Sequence, residues 1–581
     1  MPSRLTRLPA TSRPLATAIL LAATLLPAAG GCGAPGGDAE SGAEGGAEGD
    51  ATLLIENARV FTADPARPWA EAVAIGGERI LAVGSQAEVG RLAGPDTVRV
   101  DGAEGLVTPG FVDAHVHFLE GGFRLSSVQL RDAATPEAFA ERIRAFAATI
   151  EPGTWITGGD WDHERWGGDL PDRAWIDAAT PRHPVWVNRL DGHMALANTL
   201  ALEAAGLPTG ERAEVPVIEG GTVVTDDRGR LTGVLKDNAM APVAAAVPAP
   251  TPELEDRALD AAMAHVASFG VTSVHHMGTW DDLEVFRRAR AAERLHTRIY
   301  AAVPLDTWER LAEQVERDGR GDEWLRIGAL KGFVDGSLGS HTAAFFEPFT
   351  DAPEDRGLLV NRREDLERWI EGADAAGLHV VVHAIGDRAN AELLDLYQGA
   401  IAANGPRDRR FRIEHAQHLR PADVPRFAEL GVIASMQPYH AIDDGRWAER
   451  VIGAERAHTT YAFRSLLDAG ATLAFGSDWF VAPPDVAQGL YAATTRRTLD
   501  GGHPEGWIPE QRIALVEALA AYTHNGAFAS FEEDLKGSLA PGRLADLVLF
   551  ERDLRTLDPS GLADARVALT IVGGRIVHDG R

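Results

Sequence analysis

The chain has one cysteine, Cys32, so no intrachain disulfide can form. It is poor in positive charge. The formal net charge is −29 at pH 7, which excludes a general attraction for nucleic acid or an anionic membrane surface. No fixed-period repeat of the solenoid kind is present. The apolar stretch from Leu15 to Ala29 is too short and wrongly flanked to be a transmembrane span. What the chain has is bulk. With 581 residues, 45% of them hydrophobic, it can bury a large core, and one α/β barrel can occupy about 250 residues or more.

The first residues have the layout of a secretory signal. Arg4, Arg7 and Arg13 precede the apolar stretch, and Gly30-Gly31-Cys32 follows it. The end of this segment is similar to a bacterial lipoprotein signal, with Cys32 as the lipidated residue, although Ala29 stands where that pattern prefers Leu. Residues 1–32 are therefore expected to be a lipoprotein signal peptide. The protein is expected to be exported and lipid-anchored at Cys32 to a bacterial membrane, on its periplasmic or cell-surface face. Residues 33–50 are almost all Gly, Ala, Glu, Ser and Asp, and predict a disordered linker.

From Ala51 the pattern is β. Leu53–Phe61, Ala70–Ile75, Arg79–Val83 and Val98–Val100 predict short strands, with a hairpin at Gly76-Gly77. The C-terminal part mirrors this in Leu544–Phe550, Val567–Val572 and Arg575–Val577, with a hairpin at Gly573-Gly574. Neither end can bury a sheet face alone. Residues 51–108 and 536–581 are expected to form one composite β domain.

Between them, strands alternate with helical stretches, which argues for a parallel sheet. The eight expected strands are Gly110–His117, Val271–His275, Arg298–Val303, Ile327–Val334, Leu378–His383, Phe411–His415, Val432–Met436 and Thr472–Phe475. Eight such strands close a (β/α)8 barrel over 109–535, with its site at the C-terminal strand ends. The long gap after the first strand predicts an inserted subdomain at about 120–265, rich in Trp and covering the barrel mouth.

Five fragments end strands of this set: Asp113-Ala114-His115-Val116-His117, Lys331-Gly332, His383-Ala384, Glu414-His415 and Gly476-Ser477-Asp478. His115 and His117, two apart on a strand, share a face and can grip one metal. A lone His-x-His is a weak signal; here the other fragments strengthen it. His383 and His415 complete that metal or hold a second. Imidazole and carboxylate without thiolate suit Zn²⁺ first, with Mn²⁺, Fe²⁺, Ni²⁺ and Co²⁺ open. Asp478 is the expected general acid/base beside a metal-activated hydroxide. A desolvated Lys331 can add CO2 and become an anionic bridging ligand between two metals; the bland alternative is an ion pair such as Lys331–Asp335.

With these motifs the chain resembles the amidohydrolase superfamily, in its amidohydrolase-3 branch that includes N-substituted formamide deformylase-like enzymes. The matching stretches are Val107–His117, Arg189-Leu190-Asp191-Gly192-His193, Lys331–Ser337, His383–Ala389, Arg412–His415, Gly476–Trp479 and Lys536–Leu547. The resemblance implies a barrel with a β-sandwich-like domain, metal ligands His115, His117, carboxylated Lys331, His383, His415 and Asp478, and one or two divalent ions. It implies a small-molecule substrate and hydrolysis of an amide, formamide or cyclic amide. His193 is then a candidate to polarise a carbonyl. Trp161, Asp162, Asp191, Asp335, Arg388 and Gln437 are candidates around the substrate, and His275 and His276 are packing or supporting residues. Ester or lactone hydrolysis, and a surface lipoprotein that binds a solute without turnover, stay open. Barrels of this kind often associate as dimers, so a homodimer is one expected arrangement.

Overall fold

The computed structural model describes residues 50–210 and 214–581. The expected leader, Cys32 and most of the expected linker lie outside the described residues.

The central sheet is parallel and eight-stranded. Its strands are β1 (Phe111–Val116), β2 (Val271–Met277), β3 (Arg298–Pro304), β4 (Leu325–Phe333), β5 (His379–Ala384), β6 (Arg412–His415), β7 (Ile433–Met436) and β8 (Leu473–Phe475), in that spatial order. Every residue of β1, β2, β5, β6, β7 and β8 is buried, so none of these strands alternates between a wet and a dry face, and the polar residues they carry, such as Asp113, His115, Arg412 and Glu414, are buried with them. Helices such as Trp280–Ala291 and Asp387–Asn404 carry the chain back between strands. The first of these is fixed at its start by a capping box, in which Thr279 and Asp282 satisfy each other's backbone amides.

No ladder joins β8 to β1. The segment after β8 closes the barrel instead. The amide of Asp478 donates to the carbonyl of His115 at 2.7 Å, and the amide of His117 donates to that of Trp479 at 2.7 Å. Closure and placement of Asp478 are thus one event.

Two further sheets pack face to face at one side. One is four-stranded, in the order Arg79–Gly84, Ala72–Gly76, Ala51–Glu56, Ala93–Asp101. The other is six-stranded and mixes both ends of the chain: Arg575–Asp579, Val567–Val572, Leu547–Phe550, Leu106–Pro109, Arg59–Phe61, Trp69–Ala70. Leu53, Ile55, Val73, Val107, Leu547 and Ile571 fill the space between them. Leu53–Phe61 is not one strand as expected. Asn57 takes the left-handed conformation (φ 52°), the chain turns there, and the two pieces enter different sheets. Both expected Gly-Gly hairpins are present, with positive φ at Gly77, Gly573 and Gly574.

A third sheet of six strands is built between Val128 and Asp237, in the insertion after β1. Its core contains Leu130, Phe139, Trp161, Val187 and Leu196. The turn joining its strands Val185–Arg189 and Met194–Ala197 carries Asp191 and His193 to the barrel.

Candidate metal-dependent active site

The barrel's C-terminal strand ends open into a cavity of about 70 Å³. His117, Asp191, His193, Lys331, His383, His415 and Asp478 line it, arriving from β1, the insertion, β4, β5, β6 and the segment after β8. His115 lies fully buried just behind them.

His115, His415 and Asp478 each offer a ligand atom, and these atoms lie within 4.8 Å of one another. Asp478 Oδ1 is 3.5 Å from Nε2 of His115 and 3.3 Å from Nε2 of His117. The ring of His383 is 4.6 Å from that of His415, centroid to centroid. Lys331 Nζ is 3.4 Å from His115 Nε2. The candidate ligands thus converge on one place, whereas Trp161 and Arg388 do not join them.

The rear atoms of these ligands are held. His115 Nδ1 meets Glu414 Oε2 at 2.5 Å, and His415 Nδ1 donates to Gln437 Oε1 at 2.9 Å. Each contact turns Nε2 toward the cavity, as a hydrogen-bond partner behind a metal-binding imidazole does. Two of the strand-end residues pay for their placement in backbone strain. Asp478 and His415 both have positive φ, 58° and 72°, which non-glycine residues seldom adopt.

Burial dominates the electrostatics. It holds the imidazoles of His115, His383 and His415 well below the usual histidine range, so they are neutral and able to ligate. It also lowers the Lys331 ammonium to about 8, against the pull of Glu414 and Asp478. For Asp478, burial raises the carboxyl pKa, but the ring nitrogens of His115 and His117 beside it outweigh burial and hold it below the usual carboxylate range. Asp478 Oδ1 is nevertheless a buried acceptor with no hydrogen-bond partner. A bare carboxylate oxygen beside the Nε2 atoms of His115 and His117 fits a divalent cation, and the donor set fits Zn²⁺ or its neighbours.

Around this centre, His193 Nδ1 bonds Asp237 Oδ1 at 2.7 Å. Burial would lower the pKa of His193, but Asp237 outweighs it and raises it. Asp191 is engaged on every side: it accepts from Arg189 at 2.7 Å, from Ser340 Oγ at 2.9 Å and from Ser337 Oγ. Asp162 also lines the cavity.

Trp161 and Arg388 lie away from the cavity, while Asp335, Gln437, His275 and His276 sit behind it. Trp161 does not touch the cavity. Its ring is fully buried in the insertion's core beside Phe139 and Trp166, and its Nε1 donates to the carbonyl of Val187 at 2.9 Å. Arg388 points out from the first turn of its helix and pairs with Glu392 one turn on, at 2.7 Å. Asp335 is buried beneath the site. It accepts from the amides of Ala344, Ile385 and Gly386 and so ties the end of β4 to the end of β5. Gln437 reaches His415, not the cavity. His275 accepts from Arg412 at 2.8 Å and His276 from the amide of Phe118 at 3.0 Å, both away from the opening.

Sequence reasoning gave no role to Glu414, Asp237 or His440. Glu414 had a signal: Arg412 and Glu414 are charged residues two apart in a buried strand, so they must face the barrel interior together. Asp237 and His440 had none, because each becomes a site residue only through the folding of a distant loop.

Residues 99–578 match the model of the amidohydrolase family. Protein LONG AFTER FAR-RED 3 of Arabidopsis thaliana is 40% identical over 541 residues, covering 91% of this chain and 92% of that one. The N-substituted formamide deformylase of Arthrobacter pascens is 29% identical, over 91% of this chain and 98% of its own. Among solved structures, an uncharacterized metal-dependent hydrolase from Pyrococcus furiosus superposes with a TM-score of 0.68 at 29% identity, over 87% of this chain and 99% of that one.

Proposed function

The chain belongs to the amidohydrolase family, and from that membership we propose that it is a metal-dependent hydrolase of a non-peptide C–N bond in an amide, formamide or cyclic amide. One observation carries the reading: the buried, unpartnered Oδ1 of Asp478 faces the Nε2 atoms of His115 and His117 at the cavity floor. The likeness to a formamide deformylase supports the C–N choice.

His115, His117, His383, His415 and Asp478 would hold the metal, with Lys331, carboxylated, as a bridging ligand if two ions bind. When bound, a divalent ion supplies Lewis acidity and brings the pKa of a water to about 7. Asp478 accepts the proton of the attacking water and returns it to the leaving nitrogen. His193, held by Asp237, donates to the scissile carbonyl oxygen as negative charge grows there. Asp191 orders the turn that presents His193, through its bond to that residue's amide at 3.2 Å. Export, anchorage at Cys32 and a homodimer belong to the same proposal; labelling with a fatty-acid analogue, lost in Cys32→Ser, tests the anchor.

The test of the chemistry is metal content by plasma mass spectrometry, wild type beside Lys331→Ala, followed by a screen of formamides and N-acyl compounds. Two equivalents falling to one or none in the variant, with turnover in the wild type, is the expected result. One equivalent in both removes Lys331 from the ligand set. No metal after reconstitution overturns the hydrolase reading in favour of a solute-binding role.

A further inference from the structure

The turn after β7 has two effects. Gln437 holds Nδ1 of His415 from behind. Three residues on, about one turn along the helix Pro438–Asp444, His440 lines the cavity. Its ring lies nearly parallel to that of His415, with centroids 6.5 Å apart and 10° between planes.

The other imidazoles of the cavity each face a protein group, three of them in hydrogen bonds. His117 faces Asp478, His193 bonds Asp237, His383 bonds the carbonyl of Gly336 at 3.0 Å, and His415 bonds Gln437. Of the arginines, Arg189 is paired with Asp191 and Arg446 with Asp443. His440 differs: its Nε2 is buried and has no hydrogen-bond partner. Native proteins seldom leave such an atom bare, and in a cavity its natural partner is a ligand atom.

We infer that His440 contacts the substrate, its Nε2–H donating to the oxygen of the scissile acyl group alongside Nε2 of His193. The inference rests on the hydrolase reading. Two ring nitrogens are then available to the same charge. His193 stands beside His383, with ring centroids 4.9 Å apart, and His440 stands beside His415. The donors come from the insertion and from the barrel, so an acyl oxygen bound between them is gripped by both parts of the fold. The substrate class this selects has a neutral, planar acyl group whose oxygen becomes anionic during attack.

Acetohydroxamate, which offers such an oxygen, is the probe. Its binding to the metal-loaded full chain is measured by calorimetry for wild type, His440→Phe and His440→Gln, with metal content determined for each. Gln places an amide donor near the position of Nε2, and Phe keeps the bulk without it. We expect His440→Phe to retain metal, to bind the probe more than tenfold more weakly and to lose about 10²-fold in kcat, the loss typical of one oxyanion donor. His440→Gln should recover most of both. Equal binding by His440→Phe and wild type overturns the inference. Loss of metal in His440→Phe also overturns it, because His440 would then only buttress His415. A wild type that binds the probe but hydrolyses nothing in the screen sinks the hydrolase reading, while the contrast between the two variants still decides for or against His440.

Discussion

Glu414 Oε2 lies 2.5 Å from Nδ1 of His115, and Arg412 bonds the same oxygen at 3.0 Å. Both partners are completely buried. The carboxylate therefore orients a candidate ligand and at the same time neutralises an interior guanidinium. Glu414→Gln should lower metal affinity about 10- to 100-fold, as loss of a partner that orients a metal-binding imidazole does. It should also destabilise the fold by about 3–5 kcal/mol, since Arg412 loses its counter-charge. Chelator competition and urea unfolding measure the two. Unchanged metal affinity would leave Glu414 with a structural role alone.

Asp478→Asn keeps the backbone bonds that close the barrel, because these run through amide and carbonyl groups. The side chain loses its charge and its basicity. The variant should fold, retain metal, and lose about 10²- to 10⁴-fold in kcat. Full activity would remove Asp478 from the role of base.

Trp161→Ala separates a substrate contact from a core residue. A ring buried among Phe139, Trp166 and Val187 predicts a stability loss of about 3–5 kcal/mol in the insertion. KM, measured well below the unfolding transition, should not move. A large rise in KM with unchanged stability would restore Trp161 to the substrate.

His379, at the start of β5, lies at the opposite end of the barrel from the cavity. Burial, then Arg412, lowers its pKa from 6.5 to about 3. The folded state binds this proton more weakly than the unfolded one. The stabilisation is therefore complete above pH 6.5 and is lost as pH falls toward 3. His379→Gln should flatten that slope. Between pH 6.5 and 5 the wild type should lose about 2 kcal/mol more than the variant, at about 1.4 kcal/mol per pH unit per proton. Parallel profiles would show that His379 does not drive acid unfolding.

The barrel was legible because short strand-like stretches alternate with helical ones, and because β1, β4, β5, β6 and the segment after β8 each carry a candidate metal ligand at or near their C-terminal ends. The sheet switch at Asn57 was hidden: the apolar residues of Leu53–Phe61 are interrupted only by Glu56, Asn57 and Arg59, and that pattern does not show that its two pieces face different layers. Trp161 misled because a tryptophan beside Asp162 looks the same in a core as at a cavity wall. Arg388 misled because it follows a strand-end motif; one helical turn rotates it outward. His440 was missed because a single histidine has no periodicity, and its meaning lies in what it does not bond.

In the six-stranded sheet, Leu106–Pro109 pairs with Leu547–Phe550, roughly 440 residues later. On the ribosome, at about 5–20 residues per second, the earlier strand waits tens of seconds for its partner. Throughout that time it presents an open hydrogen-bonding edge beside the entrance to the barrel's first strand, the kind of edge that other chains can add to. A stop codon before Leu547 would make that interval permanent. Cells making such a truncated chain would be expected to accumulate it in aggregates or degrade it, even though every candidate metal ligand had already been synthesised.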